Sequence, residues 1–228
     1  MPLFALTGCS DDDEQETKLT QITLNNDSML LTHGESYALS VNEAVEVEWS
    51  SLDPFVATVN ENGVVTGLHV GATFIEAKTV DGLSTACTII VAPLYYTYQE
   101  PYIEWGKTQA EVLEGQDLAH DYTLDGTEVS YSQGTGKTYS ALYKIDPYKG
   151  LYYAELQING SYEDEIHKFL EERYTYVGLE DGVRYYIHGL STETYDYSVR
   201  CYRVKHYSKT YIAIAYLSGE YVRAIQSN

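Results

Sequence analysis

From residue 19 to residue 92, apolar positions fall in short runs that alternate with polar ones and are cut by turn residues. The stretch "LTQITLNNDSMLLTHGESYALSV" predicts two or three strands, broken at Asn25-Asn26-Asp27 and at His33-Gly34. Further on, Val45, Val47 and Trp49 alternate, and Thr73, Ile75 and Ala77 alternate against Phe74, Glu76 and Lys78. Residues two apart share one face of a strand, so each set marks one buried or one solvent-facing side. Turns are expected at Asp53-Pro54, Asn62-Gly63 and Asp81-Gly82, because Asn-Gly and Asp-Gly pairs accept positive φ. The pattern predicts an antiparallel β-sandwich of short strands, with Trp49 and Cys87 in its core.

After a linker at residues 93–103 the period changes. Thr108-x-x-Glu111 fits a capping box, with Val112 and Leu113 in the helix that follows. In "GSYEDEIHKFLEERYTYV", Ser161 is the expected N-cap, acidic residues fill the first turn, and Ile166, Phe169, Leu170 and Tyr174 recur at helical spacing. Three alternating stretches follow each helix: "TEVSYSQ", "TYSALYKI" and "GLYYAELQI", then "GVRYYIHGL", "YDYSVRCYRVKH" and "KTYIAIAYL". Residues 104–228 are therefore expected to form an α+β domain of two α-β-β-β units with an antiparallel sheet, a helix covering one face of each. Such tandem units resemble the β-lactamase-inhibitor-protein and TATA-binding-protein-like architectures, a likeness of shape that carries no function.

Composition reinforces the boundary. Of 24 tyrosines in 228 residues, only Tyr37 precedes Tyr95. With 44% hydrophobic residues and 5 prolines the chain has the makings of folded domains. A formal charge of −20 opposes binding to nucleic acid and to anionic lipid surfaces. Cys9, Cys87 and Cys201 are too few and too scattered for a disulfide framework. No stretch approaches the roughly 18 apolar residues of a transmembrane helix.

The segment "VEWSSLDPFVATVNENGVVTGLHVGATFIEAKTVDG" closely resembles the bacterial immunoglobulin-like group 2 (BIG2) family. The resemblance rests on Trp49–Val59, on N-G-V-V-T-G at Asn62–Gly67, and on Gly71. It implies an all-β immunoglobulin-like sandwich over residues 19–92, a spacer or adhesion module without a reaction of its own. Upstream, Leu6-Thr7-Gly8-Cys9 resembles the lipobox of bacterial lipoproteins, which implies lipidation at Cys9. Only eight residues precede that cysteine, so residues 1–18 are expected to hold the remnant of a longer signal peptide and an acidic tether at Asp11-Asp12-Asp13-Glu14. That tract, and the segment "EPYIEWGKTQAEVLE", resemble surface-exported lipoproteins of Gram-negative anaerobes. The implied location is the outer membrane, lipid-anchored and facing the cell surface, with a periplasmic orientation left open.

Candidate chemistry is sparse. GTGKT at residues 134–138 imitates a phosphate-binding loop, but Tyr131 stands where the motif needs glycine and a strand pattern follows, so a hairpin turn is expected. His120, His167, His188 and His206 show no metal-ligand spacing, and Cys201 lacks a nucleophile signature. No catalytic residue, metal or cofactor is expected. The tyrosine surplus is the remaining signal, since tyrosine joins apolar area to a polar tip at low entropy cost. Arg184, Tyr186 and His188 on one strand, with Arg200 and Tyr202 on the next, form the candidate binding surface. Tyr131, Tyr139, Tyr152, Tyr153, Tyr211 and Tyr216 are expected to enlarge it. The expectation is a non-catalytic surface lipoprotein whose Tyr-rich domain binds a protein or glycan. An enzyme or enzyme inhibitor, or a structural part of a surface assembly, are the alternatives.

Overall fold

The computed structural model of the chain describes residues 19–115, 122–132 and 137–226. In the N-terminal part, β1 (Ser28–Thr32), β2 (Ser36–Ala38), β3 (Glu48–Ser51), β4 (Ala57–Val59), β5 (Val64–Gly67), β6 (Gly71–Lys78) and β7 (Ser84–Ala92) form two sheets, ordered β1-β7-β6-β3 and β2-β5-β4. Their inward residues, among them Leu31, Val65, Ile75, Ala77, Cys87 and Ile89, make one core, with Trp49 packed against it. The alternation predicted for β6 holds: Thr73, Ile75 and Ala77 are buried and Phe74 faces out. The sandwich is not wholly antiparallel, because β1 runs parallel to β7, with Ser28 opposite Thr88 and Thr32 opposite Ala92. A parallel pair requires a long crossover, and the intervening strands supply it. At the Asn62-Gly63 turn, φ at Gly63 is 74°. A Cβ there would lie 2.5 Å from the Leu39 carbonyl oxygen and 3.0 Å from the Trp49 indole. Only glycine fits under that ring.

The C-terminal part contains α1 (Gln109–Gly115), β8 (Tyr122–Asp125), β9 (Glu128–Ser132), β10 (Thr138–Asp146) and β11 (Gly150–Asn159). A 3-10 turn at Gly160–Tyr162 leads to α2 (Glu163–Glu171), then β12 (Thr175–Glu180), β13 (Val183–His188), β14 (Tyr197–His206), β15 (Lys209–Ser218) and α3 (Gly219–Gln226). The eight strands form one antiparallel sheet, ordered β12-β13-β14-β15-β11-β10-β9-β8. Helices α1 and α2 are thus each followed by four strands, not three, an unforeseen α3 closes the described residues, and the two units join where β11 pairs with β15, from Tyr153 opposite Leu217 to Asn159 opposite Tyr211. The two unforeseen strands, β8 and β12, are the sheet's edges. Their residues are mostly exposed, so they carry no buried alternation to betray them.

Helix α1 begins with the expected capping box: the Thr108 N–H and hydroxyl both donate to Glu111 Oε2 at 2.8 Å. Those bonds, with Lys107, bring the Glu111 carboxyl down to about 2. Ser161 does not cap α2. It lies inside the 3-10 turn, where Asn159 Oδ1 accepts the Ser161 N–H at 3.0 Å. The apolar stripe of α2 does face inward, and Ile166, Phe169 and Leu170 share a core with Ile212, Ile214 and Tyr216.

Residues 93–103 are not a loose linker. Thr97 and Tyr98 are buried, and Tyr98 packs its ring 4.2 Å from Phe169. The pin of this segment is Glu172, 2% exposed. Its carboxylate accepts the N–H groups of Leu94 at 2.9 Å and Tyr95 at 3.1 Å and pairs with Arg173, while its carbonyl accepts the Val70 N–H at 2.8 Å. Phe55 of the sandwich stacks on His69 at 4.2 Å and meets His188 of the sheet at 4.5 Å. Burial and the nearby imidazoles of His33 and His188 lower the pKa of His69, against the hydrogen bond it makes to the Phe55 carbonyl. The sandwich and the sheet domain thus meet through a polar pin and an aromatic stack. Glu172→Ala would leave two amides without their acceptor and remove one of the partners of Arg173, at an expected cost of about 3 kcal/mol. Urea unfolding followed by circular dichroism measures it, with Glu172→Gln falling between the two; a loss below about 1 kcal/mol would show that the pin is dispensable.

Candidate functional site

The sheet has one face under α1 and α2, while on the other Val222 of α3 packs with Ala215, Leu217, Tyr153 and Tyr202, and strand register decides which side chains reach each. Arg184 stands opposite Cys201, Tyr186 opposite Val199 and His188 opposite Tyr197, whereas Tyr185 stands opposite Arg200 and Ile187 opposite Ser198. Tyr186, Val199 and Cys201 belong to the core beneath α2. The predicted surface therefore splits. Arg184, Tyr186 and His188 are on the helix-covered side, and Arg200 and Tyr202 on the other. Tyr186 has no exposure at all and is a core residue, not a contact. His188 lies parallel to the Tyr197 ring, centroids 4.8 Å apart, with Phe55 as its second ring neighbour. Arg184 faces Tyr176 at 5.9 Å. Tyr131, Tyr211 and Tyr216 are also buried and add no surface, while Tyr139 is exposed.

On the open face a carboxylate organises the tyrosines. Glu155 is buried, and its Oε2 accepts the hydroxyls of Tyr202, at 2.8 Å, and of Tyr153. Gln157 Nε2 donates to Glu155 Oε1 at 3.0 Å, and Gln157 Oε1 lies 2.6 Å from His206 Nε2. Burial, with Glu155 adding to it, pushes the Tyr202 phenol up to about 12, so both hydroxyls stay protonated donors. Beside them the Arg200 guanidinium lies 5.9 Å from the Tyr185 ring centroid. Arg200 Nε and Ser198 Oγ are buried polar atoms without a hydrogen-bond partner among the described residues. Such groups are costly unless something else satisfies them. Glu155 went unrecognised in the sequence, although Tyr153, Glu155 and Gln157 alternate there and so share a face.

A second network lies under the helices. Tyr174 and Tyr216 donate to Glu100 Oε1, the latter at 3.2 Å. Tyr98 and Tyr216 hydroxyls are 2.9 Å apart, and Tyr197 donates to Tyr174 at 3.3 Å. Burial raises the Glu100 pKa against these bonds and the charge of Arg173. The tyrosines themselves are pushed far above their ordinary range by burial.

The fold does bring Cys201 and His167 together, Sγ to Nδ1 at 3.9 Å, with Glu163 Oε1 3.7 Å from His167 Nε2. Proximity alone does not make a nucleophile. Burial, reinforced by the Glu163 charge, pushes the Cys201 thiol up to about 12, while burial and Arg184 lower His167. Neutral thiol and neutral imidazole are the favoured forms near pH 7. Glu163 itself is gripped by Arg203 at 2.7 Å. Among the described residues no group of three His, Cys, Asp or Glu could hold a metal ion. Gly134 and Gly136 of the GTGKT segment lie outside the described residues, as do His120 and Cys9. Thr138 opens β10, as a strand reading of that segment requires, and Lys137 is held by Glu165 at 3.0 Å over the Tyr162 ring.

Residues 18–89 match the bacterial Ig-like domain (group 2). The Ig-like module is thus the sandwich whose Phe55 and Val70 meet the sheet domain. An uncharacterized protein of Clostridium acetobutylicum is 35% identical over 91 residues, 36% of this chain and 9% of the relative. The A type blood N-acetyl-alpha-D-galactosamine deacetylase of Flavonifractor plautii is 47% identical over 51 residues, 22% of this chain and 7% of the relative. The chain covers less than a tenth of the length of either protein. No helix of the described residues is long and apolar enough to cross a membrane.

The thiol geometry makes a direct prediction. At pH 8, native Cys201 should react with iodoacetamide about a hundredfold or more slowly than the same thiol in urea. Peptide mass spectrometry locates the label, and equal rates in the two states would contradict a protonated, enclosed thiol.

Proposed function

We propose that the chain is a non-catalytic, surface-associated binding protein in which the Ig-like module presents the Arg200 side of the eight-stranded sheet, beside α3, to a protein partner. The carrying observation is the half-buried Arg200, its guanidinium beside the Tyr185 ring, next to the Glu155-anchored tyrosines Tyr153 and Tyr202. Arginine and tyrosine held in place by their neighbours are the residue types that dominate protein interfaces, because little side-chain freedom remains to be lost on binding. A partner carboxylate or backbone carbonyl would satisfy Arg200. The match of residues 18–89 supports a surface or binding role, since the module contributes reach and no reacting groups. In this reading Cys9 carries the lipid, the acidic residues after it form a solvated tether, and the outer membrane is the site of action.

Two measurements test the two halves of the proposal. The full chain is screened against arrays of purified extracellular proteins, and each hit is titrated with Arg200→Ala, Tyr202→Ala and the off-face control Tyr148→Ala. The first two should weaken binding at least tenfold and the control should not; silence on the array, or hits indifferent to Arg200, would overturn the surface. For the anchor, radiolabelled palmitate should enter the protein expressed with a complete signal sequence and not its Cys9→Ala variant. Labelling that survives the substitution would remove the lipid anchor.

A further inference from the structure

A recess lies beside α3, whose Val222 and Tyr221 also pack with Tyr153 and Tyr202 of the sheet. It encloses about 760 Å³, within the range of about 300–1,000 Å³ usual for small-molecule sites. Its walls come from four separated pieces of chain: Trp105 before α1, the β10–β11 turn with Asp146 and Lys149, the loop before β14 with Tyr195 and Asp196, and α3 with Glu220, Tyr221 and Arg223. Their meeting is held by backbone. The Gly106 N–H donates to the Leu151 carbonyl at 2.9 Å, and the Leu151 N–H to the Lys107 carbonyl at 2.8 Å. Gly150, at φ 77°, approaches so closely that a Cβ there would lie 2.1 Å from the Gly106 oxygen. These contacts give the recess a wall with little room to adjust.

The chemistry of the lining is mixed in a particular way. Tyr152 and Tyr221 pack at 4.4 Å with a 32° tilt, giving a broad aromatic surface, and Trp105 Nε1 is an enclosed donor without a partner among the described residues. Asp146 Oδ1 accepts the N–H groups of Tyr148 at 2.8 Å and Lys149 at 2.9 Å, and these bonds lower its pKa, so it stays ionised. Its other carboxyl oxygen takes no part in them. Arg223 donates to the Tyr195 carbonyl at 3.3 Å, with its guanidinium 5.9 Å from the Tyr195 ring centroid.

Aromatic surface, three carboxylates and two cationic side chains exclude several ligands. An anion such as a phosphate would meet the carboxylates within a chain of net charge −20. A lipid would strand the charges without water. A lone organic cation would face Lys149 and Arg223 in the same space. What uses acceptors, donors and aromatic surface together is a molecule whose hydroxyls each give and take a hydrogen bond around an apolar ring of C–H groups. We infer that this recess is a binding site for a neutral saccharide. It does not depend on the protein partner proposed above.

The test begins with an array of neutral mono- to tetrasaccharides probed with the full chain, followed by calorimetric titration of each saccharide that binds. Tyr152→Ala and Glu220→Gln should each weaken binding at least tenfold, whereas Arg200→Ala on the sheet face should leave it unchanged. Glu220 is exposed, so its substitution keeps the test valid if Tyr152→Ala fails to fold. Affinity should also be unchanged between 50 and 500 mM salt, as befits an uncharged ligand. No binding saccharide, hits indifferent to both recess substitutions, or tighter binding of tetramethylammonium than of any saccharide would each overturn the inference.

Discussion

A phenol taken out of water needs a partner for its hydroxyl, and a carboxylate taken out of water needs donors. The sheet domain answers both requirements with the same contact. Glu100 collects Tyr174 and Tyr216 on the helix side, and Glu155 collects Tyr153 and Tyr202 on the open side. Neither carboxylate is neutralised mainly by a cation. Glu155 is held by tyrosine and glutamine donors, and Arg173 stands 3.9 Å from Glu100. Hydrogen bonds to a charged acceptor are the stronger kind, and in a screened interior they reinforce one another. Four tyrosines, Tyr174, Tyr216, Tyr153 and Tyr202, hand their hydroxyls to an acid in this way, whereas the buried Tyr186 hydroxyl has no partner among the described residues.

This also explains what could and could not be read along the chain. Alternation identified β6, β10, β11, β13, β14 and β15 because each has a buried side. The edge strands β8 and β12 expose most of their residues and give no such signal. Alternation also grouped Arg184, Tyr186 and His188 correctly as one side of β13. It could not say which side α2 would cover, since that depends on how a helix twelve or more residues upstream docks on the sheet. Tyr186 was consequently taken for surface when it is core, whereas Arg200 and Tyr202 do reach the open face. Polar partners in the core were the least legible. Glu100 stands in a segment with the composition of a linker, and nothing local reveals that Tyr174 and Tyr216, each more than 70 residues later, will enclose it.

The same long-range dependence governs the seam between the two parts of the chain. Glu172 follows directly on α2, yet its contacts include Leu94, Tyr95 and Val70, so the end of one helix fixes both the connecting segment and the edge of the Ig-like module. Phe55 lies within the run that marks the family and sits between His69 of its own module and His188 of the sheet domain. Phe55 of the Ig-like module is thus a joint between the two parts. These contacts lie on the helix-covered side of the sheet domain, the opposite side of the sheet from Arg200 and Tyr202.

Cys201 shows how far proximity falls short of chemistry. A thiol, an imidazole and a carboxylate stand in a row, which on a residue list would suggest a nucleophile with its base. Each member is nevertheless committed elsewhere. The thiol is pressed into the core beside Tyr186 and Val199, Arg184 and burial disfavour a charged His167, and Arg203 holds Glu163. An activated cysteine needs a nearby positive charge and access to substrate; here burial and Glu163 outweigh the help that Arg184 gives the thiolate. Arg200 is the contrasting case on the other side of the same strand. Among the described residues it forms no ion pair, its half-buried guanidinium lies beside the Tyr185 ring, and a cation so placed gains a charge-assisted hydrogen bond when a partner acceptor arrives.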